Sequence, residues 1–104
     1  DGTALPYLAA GGHGCISVTA NIAPKLLSRM HNAWKQGDIK TAQDINKKLM
    51  PLHDALFYET SPGPLKYAAS LLNICESDTR LPIVEIASES KKRVEEGLKF
   101  AELM

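Results

Sequence analysis

His13-Gly14-Cys15-Ile16-Ser17-Val18-Thr19-Ala20-Asn21-Ile22-Ala23-Pro24 reads as a short apolar strand that feeds straight into a helix. Cys15-Ile16-Ser17-Val18 carries the β-branched residues that suit a pleated, packed surface. Everything on either side has a helical pattern. A lone strand cannot satisfy its own N–H and C=O groups, so it needs neighbours. Either this strand pairs with a copy of itself or the chain belongs to something larger, and the second reading is the more economical. The chain also begins without Met, in mid-pattern, so residues upstream of Asp1 are expected.

Working outward, Thr3 to Ala10 carries Ala4, Leu5, Leu8 and Ala9 as a short helical stripe, stopped by Gly11-Gly12. Helix, glycines, strand and helix in succession is the rhythm of an α/β protein. After the strand, Asn21 is a predicted N-cap and Pro24 falls in the first turn of a helix bearing Leu26, Leu27, Met30, Ala33 and Trp34. Gly37 closes it. Asp38 is the predicted cap of the most amphipathic segment, with Ala42, Ile45, Leu49, Leu52 and Leu56 on one face. Pro51 removes one rung of that helix's ladder and predicts a kink near Lys47. Lys40, Asp44, Lys47 and Lys48 form its solvated face. Glu59 to Pro64 is a loop, Leu65 to Ile74 a short helix, and Glu76 to Arg80 a second loop. Leu81 to Ile86 is an extended packing segment broken by Pro82. Ser88 is the predicted cap of a last helix with Val94, Leu98 and Ala101 facing inward.

The 104 residues suffice for one small core, and 44% hydrophobic with 23% charged residues is ordinary globular composition. Twelve basic residues balance twelve acidic ones, so no charge excess points to nucleic acid or an anionic membrane. No apolar run approaches the roughly 20 residues of a membrane span, and the first residues do not read as a signal peptide. Cys15 and Cys75 are expected to be two buried free thiols, which together with the composition implies a reducing, cytoplasmic setting.

Sites of chemistry are sparse. His13, His31 and His53 have no metal-ligand spacing to one another, to a cysteine or to a carboxylate, and a structural role is expected for each. Gly11-Gly12-His13-Gly14 follows a helix and precedes a strand, the reverse of a phosphate-cradling loop. Lys25, Lys47, Lys48, Lys91 and Lys92 fall in surface patterns, where no desolvated or cationic pocket lowers an amine's pKa for nucleophilic work. Lys66, just after Ser61-Pro62-Gly63-Pro64, is the least ordinary lysine, and a surface or helix-terminus role is the simpler reading. From composition and spacing alone the chain is an α-rich module with no complete active site.

The motifs nevertheless converge on one family. Gly12 to Pro24 resembles the last barrel strand and following turn of the dihydrodipicolinate synthase family. Asn46-Lys47-Lys48-Leu49-Met50-Pro51-Leu52-His53 with Ala55-Leu56-Phe57 resembles that family's first C-terminal helix. Glu59 to Ala68 is similar to its next loop and helix, and Thr79-Arg80-Leu81-Pro82-Ile83-Val84 to the approach to its last helix. The likeness runs through essentially the whole chain, in order. Sister families such as N-acetylneuraminate lyase share the architecture but diverge in the strand motif.

This resemblance implies an α/β parent fold, a (β/α)8 TIM barrel followed by a helical region, of which the chain is a mostly α-helical part from the last third. Residues 1–38 would be the last αβα part of the barrel and 39–104 the C-terminal helical domain. The implied activity is a class I aldolase-type condensation of pyruvate, held as a lysine Schiff base, with L-aspartate 4-semialdehyde in lysine biosynthesis. No cofactor and no metal are implied, and the implied assembly is a homo-oligomer, a homotetramer. The family's lysine, tyrosine, arginine and threonine of catalysis match no position here, so the resemblance places no catalytic residue in this chain and implies that the chain alone is inactive. Three substrate-site positions carry over. Asp1 matches an acidic position at the C-terminal end of the seventh strand, and its simpler reading is an N-cap of the first helix. Ile16 matches a residue whose backbone carbonyl faces the active site, its side chain being barrel core. Ser61 stands where the family usually has Asn. An unfinished barrel is expected to dimerise, swap or rejoin its missing part. Two alternatives remain open: a non-catalytic helical interaction or oligomerisation module, for which the strand has no use, and a related 2-keto-acid or sugar-acid aldolase. Feedback inhibition by lysine has no legible residues here.

Overall fold

The helix Ile39–Leu56 (α3) is the spine on which the rest is hung, and its sequence stripe explains why. Ala42, Ile45, Leu49, Leu52 and Leu56 are all buried, four of them completely. A computed structural model describes all residues 1–104, with α1 at Ala4–Ala9, a 3-10 turn at Thr19–Asn21, α2 at Pro24–Lys35, α3, α4 at Gly63–Leu71 and α5 at Ser88–Phe100. α3 touches each of the other helices and the 3-10 turn. One core of alanines and leucines joins α1, α2, α3, α4 and α5.

Local chemistry accounts for several helix ends. The Thr41 N–H donates to Asp38 Oδ1 at 3.2 Å, which caps α3 as the sequence predicts. Gly37 has φ of 80°, the left-handed conformation that ends α2 without a Cβ penalty. Pro24 sits in the first turn of α2, and Pro51 is carried inside α3, which continues to Leu56.

Two predicted caps are displaced. Asn21 belongs to the 3-10 turn, where its Nδ2 donates back to the Val18 carbonyl at 3.0 Å, and α2 starts from Ala23 with no side-chain cap. The short amide side chain finds a local backbone partner before it can reach the helix. Ser88 is the first residue of α5 rather than its cap. The capping acceptor is instead Glu59, from the loop before α4. Its Oε2 accepts from the Ala87 N–H at 2.8 Å and from the Ser90 hydroxyl. The Ser90 hydroxyl, then the Ala87 N–H, hold the Glu59 carboxyl below its ordinary pKa.

The strand segment requires a correction. Gly12 to Ser17 is irregular, not part of any sheet. No backbone hydrogen bond of the chain involves the N–H or C=O of residues 13–17. Cys15 is exposed and Ile16 completely so. Strand hydrogen bonds are made between strands, and these 104 residues supply no neighbouring strand. The expected burial of Cys75 also fails, because it lies in the exposed turn after α4. Both thiols are free. In the Leu81–Ile86 segment only Ile86 is buried, while Leu81 and Val84 are exposed. Ile86 and Ile83 face Gly63 of α4, and the residues between them turn outward.

Candidate functional site

Asp1 lies beside the 3-10 turn and clasps it. The Ser17 hydroxyl donates to Oδ1, and the N–H groups of Val18 and Thr19 donate to Oδ2 at 2.9 and 3.2 Å. Ser17 Oγ in turn accepts from the Ala20 N–H at 2.9 Å. A carboxylate at the exposed N–H groups of a turn satisfies otherwise unpaired donors and meets their partial positive charge. The alternative role, capping α1, is not what this carboxylate does. The Ala4 N–H goes to the Asp1 backbone carbonyl at 3.1 Å, and α1 has no side-chain cap.

The clasp begins one residue after Ile16. Asp1 and the Ile16 segment are therefore brought together at the C-terminal end of the irregular run Gly12 to Ser17. The Ile16 carbonyl accepts no backbone hydrogen bond within the chain, so it is open to an outside donor. Its side chain is fully exposed rather than packed in a core. Ser61 is half-buried at the entrance to α4, and no hydrogen bond links it to Asp1 or to residues 12–19. Lys66 is half-buried and lines a shallow cleft of about 460 Å³ with Pro62, Asp78, Thr79, Arg80 and Ile83.

One polar contact escaped the sequence reading. His53 of α3 is 3% exposed and Thr19 is 0% exposed, and Thr19 Oγ1 lies 2.7 Å from His53 Nδ1. The signal was present: His53 follows Leu49 by four residues and precedes Leu56 by three, which puts it on the buried face of α3. His13, by contrast, is exposed and His31 half-buried. Burial, the largest cause, lowers the His53 pKa from 6.5 to about 4, against a smaller opposing pull from Asp54.

That shift has a sign. The unfolded chain takes up a proton at His53 near pH 6.5, whereas the folded chain resists until about pH 4. The contribution is thus fully present above pH 6.5 and is lost as the pH falls toward about 4. It amounts to on the order of 3 kcal/mol. Urea unfolding followed across this window is expected to show the decline. In His53→Asn, which has no group titrating there, the same window is expected to be flatter. An equal slope in both proteins would mean that His53 is not held neutral.

No helix is long and apolar enough to cross a membrane. A family model described as the dihydrodipicolinate synthetase family matches residues 1–101. A 4-hydroxy-tetrahydrodipicolinate synthase of Gluconacetobacter diazotrophicus is 51% identical over 104 residues, which are 100% of this chain and 35% of that protein. Among solved structures, a monomeric dihydrodipicolinate synthase variant superposes with a TM-score of 0.96 at 35% identity, covering 100% of this chain and 35% of that one. The chloride-inhibited dihydrodipicolinate synthase of Acinetobacter baumannii, complexed with pyruvate, superposes with a TM-score of 0.90 at 34% identity, covering 99% of this chain and 35% of that one. The chain thus spans about a third of the length of the relatives it matches.

Proposed function

Because this chain belongs to the dihydrodipicolinate synthetase family, lyases built on a (β/α)8 barrel, we propose that it is the C-terminal third of a 4-hydroxy-tetrahydrodipicolinate synthase. The whole enzyme condenses pyruvate with L-aspartate 4-semialdehyde in lysine biosynthesis. An upstream lysine amine attacks the pyruvate ketone and loses water to give the Schiff base. The observation that carries this reading is the Asp1 clasp. It gathers a carboxylate and the open Ile16 carbonyl at the C-terminal end of a segment with no backbone partners in this chain. Barrel enzymes collect their reacting groups at that end of their strands.

In this reading residues 1–38 complete the barrel and 39–104 form the helical domain that braces it. The Ile16 carbonyl faces the Schiff-base lysine and can accept from its protonated nitrogen. Asp1 shapes the approach of the second substrate by holding the turn at Ser17–Thr19, and Ser61 lies in a loop near the mouth of the site. The catalytic lysine, tyrosine, arginine and threonine come from residues upstream, so the 104-residue chain alone turns over no substrate. The assembled enzyme is cytoplasmic and homo-oligomeric, with no cofactor.

Borohydride reduction of the full-length protein in the presence of pyruvate tests the proposal. A stable adduct on one lysine upstream of Asp1, followed by condensation with aspartate semialdehyde, is the expected result. An adduct without that condensation, together with cleavage of a sugar acid, would move the enzyme to a sister activity. The absence of any adduct would remove the lyase reading.

A further inference from the structure

We propose that His53 is a positioning residue for this site, acting through Thr19 on the segment that presents the Ile16 carbonyl; the inference rests on the lyase reading above. Thr19 is the junction. Its N–H donates to Asp1 Oδ2 at 3.2 Å, and its hydroxyl oxygen lies 2.7 Å from His53 Nδ1. Both Thr19 and His53 are buried, within a helix face whose Leu49, Leu52 and Leu56 are fully enclosed. α3 therefore offers a fixed reference point, and the Thr19–His53 bond ties the end of the strand segment to it. The segment has little else to hold it within the chain. Residues 13–17 make no backbone hydrogen bonds there, and their downstream anchor is the cluster of bonds from Ser17, Val18 and Thr19 to Asp1.

Stability alone does not call for this pair. A buried hydroxyl and imidazole cost desolvation, and replacing both partners by apolar groups of similar shape is close to neutral. What an apolar pair cannot supply is direction. A hydrogen bond fixes the rotation of Thr19 about the turn, and with it the Asp1 clasp and the adjoining Ile16 carbonyl. Misplacing a reacting group by about 1 Å costs on the order of a hundredfold in rate, so a shift of a few tenths of an ångström is worth about tenfold.

Three variants of the full-length enzyme separate positioning from folding: His53→Leu, the double variant Thr19→Val with His53→Leu, and His53→Asn. Asn places an amide group where Nδ1 lies and keeps the bond to Thr19. Turnover is measured per site trapped by pyruvate and borohydride, so misfolded molecules drop out of the count, and thermal midpoints are recorded alongside. The double variant is expected to melt near the wild type while its kcat per trapped site falls about tenfold, with KM for pyruvate little changed. His53→Leu is expected to show the same kcat loss with a lower melting point, because it leaves the Thr19 hydroxyl unpaired. His53→Asn is expected to recover kcat to within about twofold. Wild-type kcat per trapped site in His53→Leu and the double variant would overturn the proposal, as would a kcat loss that His53→Asn fails to recover. If wild-type enzyme traps no pyruvate, the lyase reading itself fails and takes this inference with it.

Discussion

The backbone amides of residues 13–17 are expected to exchange with solvent at unprotected rates in the 104-residue chain, and at least about a thousandfold more slowly in the full-length enzyme. In the chain none of these N–H groups has a backbone partner, and Cys15 and Ile16 lie open to water. In a closed barrel each strand is hydrogen-bonded on both sides, so exchange there requires opening of the core sheet. A thousandfold protection corresponds to an opening free energy of about 4 kcal/mol, modest for a central strand. Hydrogen exchange read by mass spectrometry over peptides spanning residues 12–18 checks this. Protection in the isolated chain that rises with its concentration would show pairing between copies. Protection equal in both proteins and independent of concentration would mean that the segment does not depend on missing strands at all.

Gly97→Leu is expected to destabilise the full-length protein by about 3 kcal/mol or more, enough to consume much of a typical domain's stability. A Cβ at Gly97 would lie 3.0 Å from Leu52 Cα and 3.2 Å from Leu52 N. Those neighbours are backbone atoms of a fully buried residue, and they cannot swing aside as a side-chain tip would. The only relief is to separate α5 from α3, which opens the core around Leu49, Leu52, Val94 and Leu98. Gly97→Ala is the instructive control. It sets the same Cβ against the Leu52 backbone, so the two helices must still part by a few tenths of an ångström. About 1 kcal/mol of helix propensity offsets part of that cost and no larger side chain follows, so its loss should be smaller than that of Gly97→Leu. Thermal melts of both variants test the contact. A Gly97→Leu protein that melts with the wild type would mean that the two helices do not approach at this position.

What could be read in the chain follows the reach of each interaction. The α3 stripe from Ala42 to Leu56, the Asp38 cap, Pro24 in a first turn and Gly37 at a helix end are set by residues within a turn or two of one another, and all were legible. The cap of α5 was not, because its acceptor, Glu59, comes from 28 residues upstream of Ala87. The Asp1 clasp spans 16 to 18 residues and a helix, so an N-cap of α1 was the natural local reading of that aspartate. Burial of Cys15 and Ile16 was inferred from an apolar, β-branched pattern, yet a strand is buried by its neighbours, and those are not among these residues. His53 was the converse case. Its place on the buried face of α3 was legible, and only its partner Thr19 required the fold. The family motifs carried the parent architecture because they preserve the order of segments whose packing partners lie elsewhere.

The central claim is that this chain works as about one third of a barrel lyase, and the mass of the polypeptide in the cells that make it tests that most directly. Purified from its native source, the protein is predicted to have a mass near three times the 11.3 kDa of these residues, in keeping with the 35% share of its relatives that they cover. A native polypeptide of 11.3 kDa would contradict the account, because the strands that residues 13–17 need, and the lysine that pyruvate needs, would then not exist in the same chain.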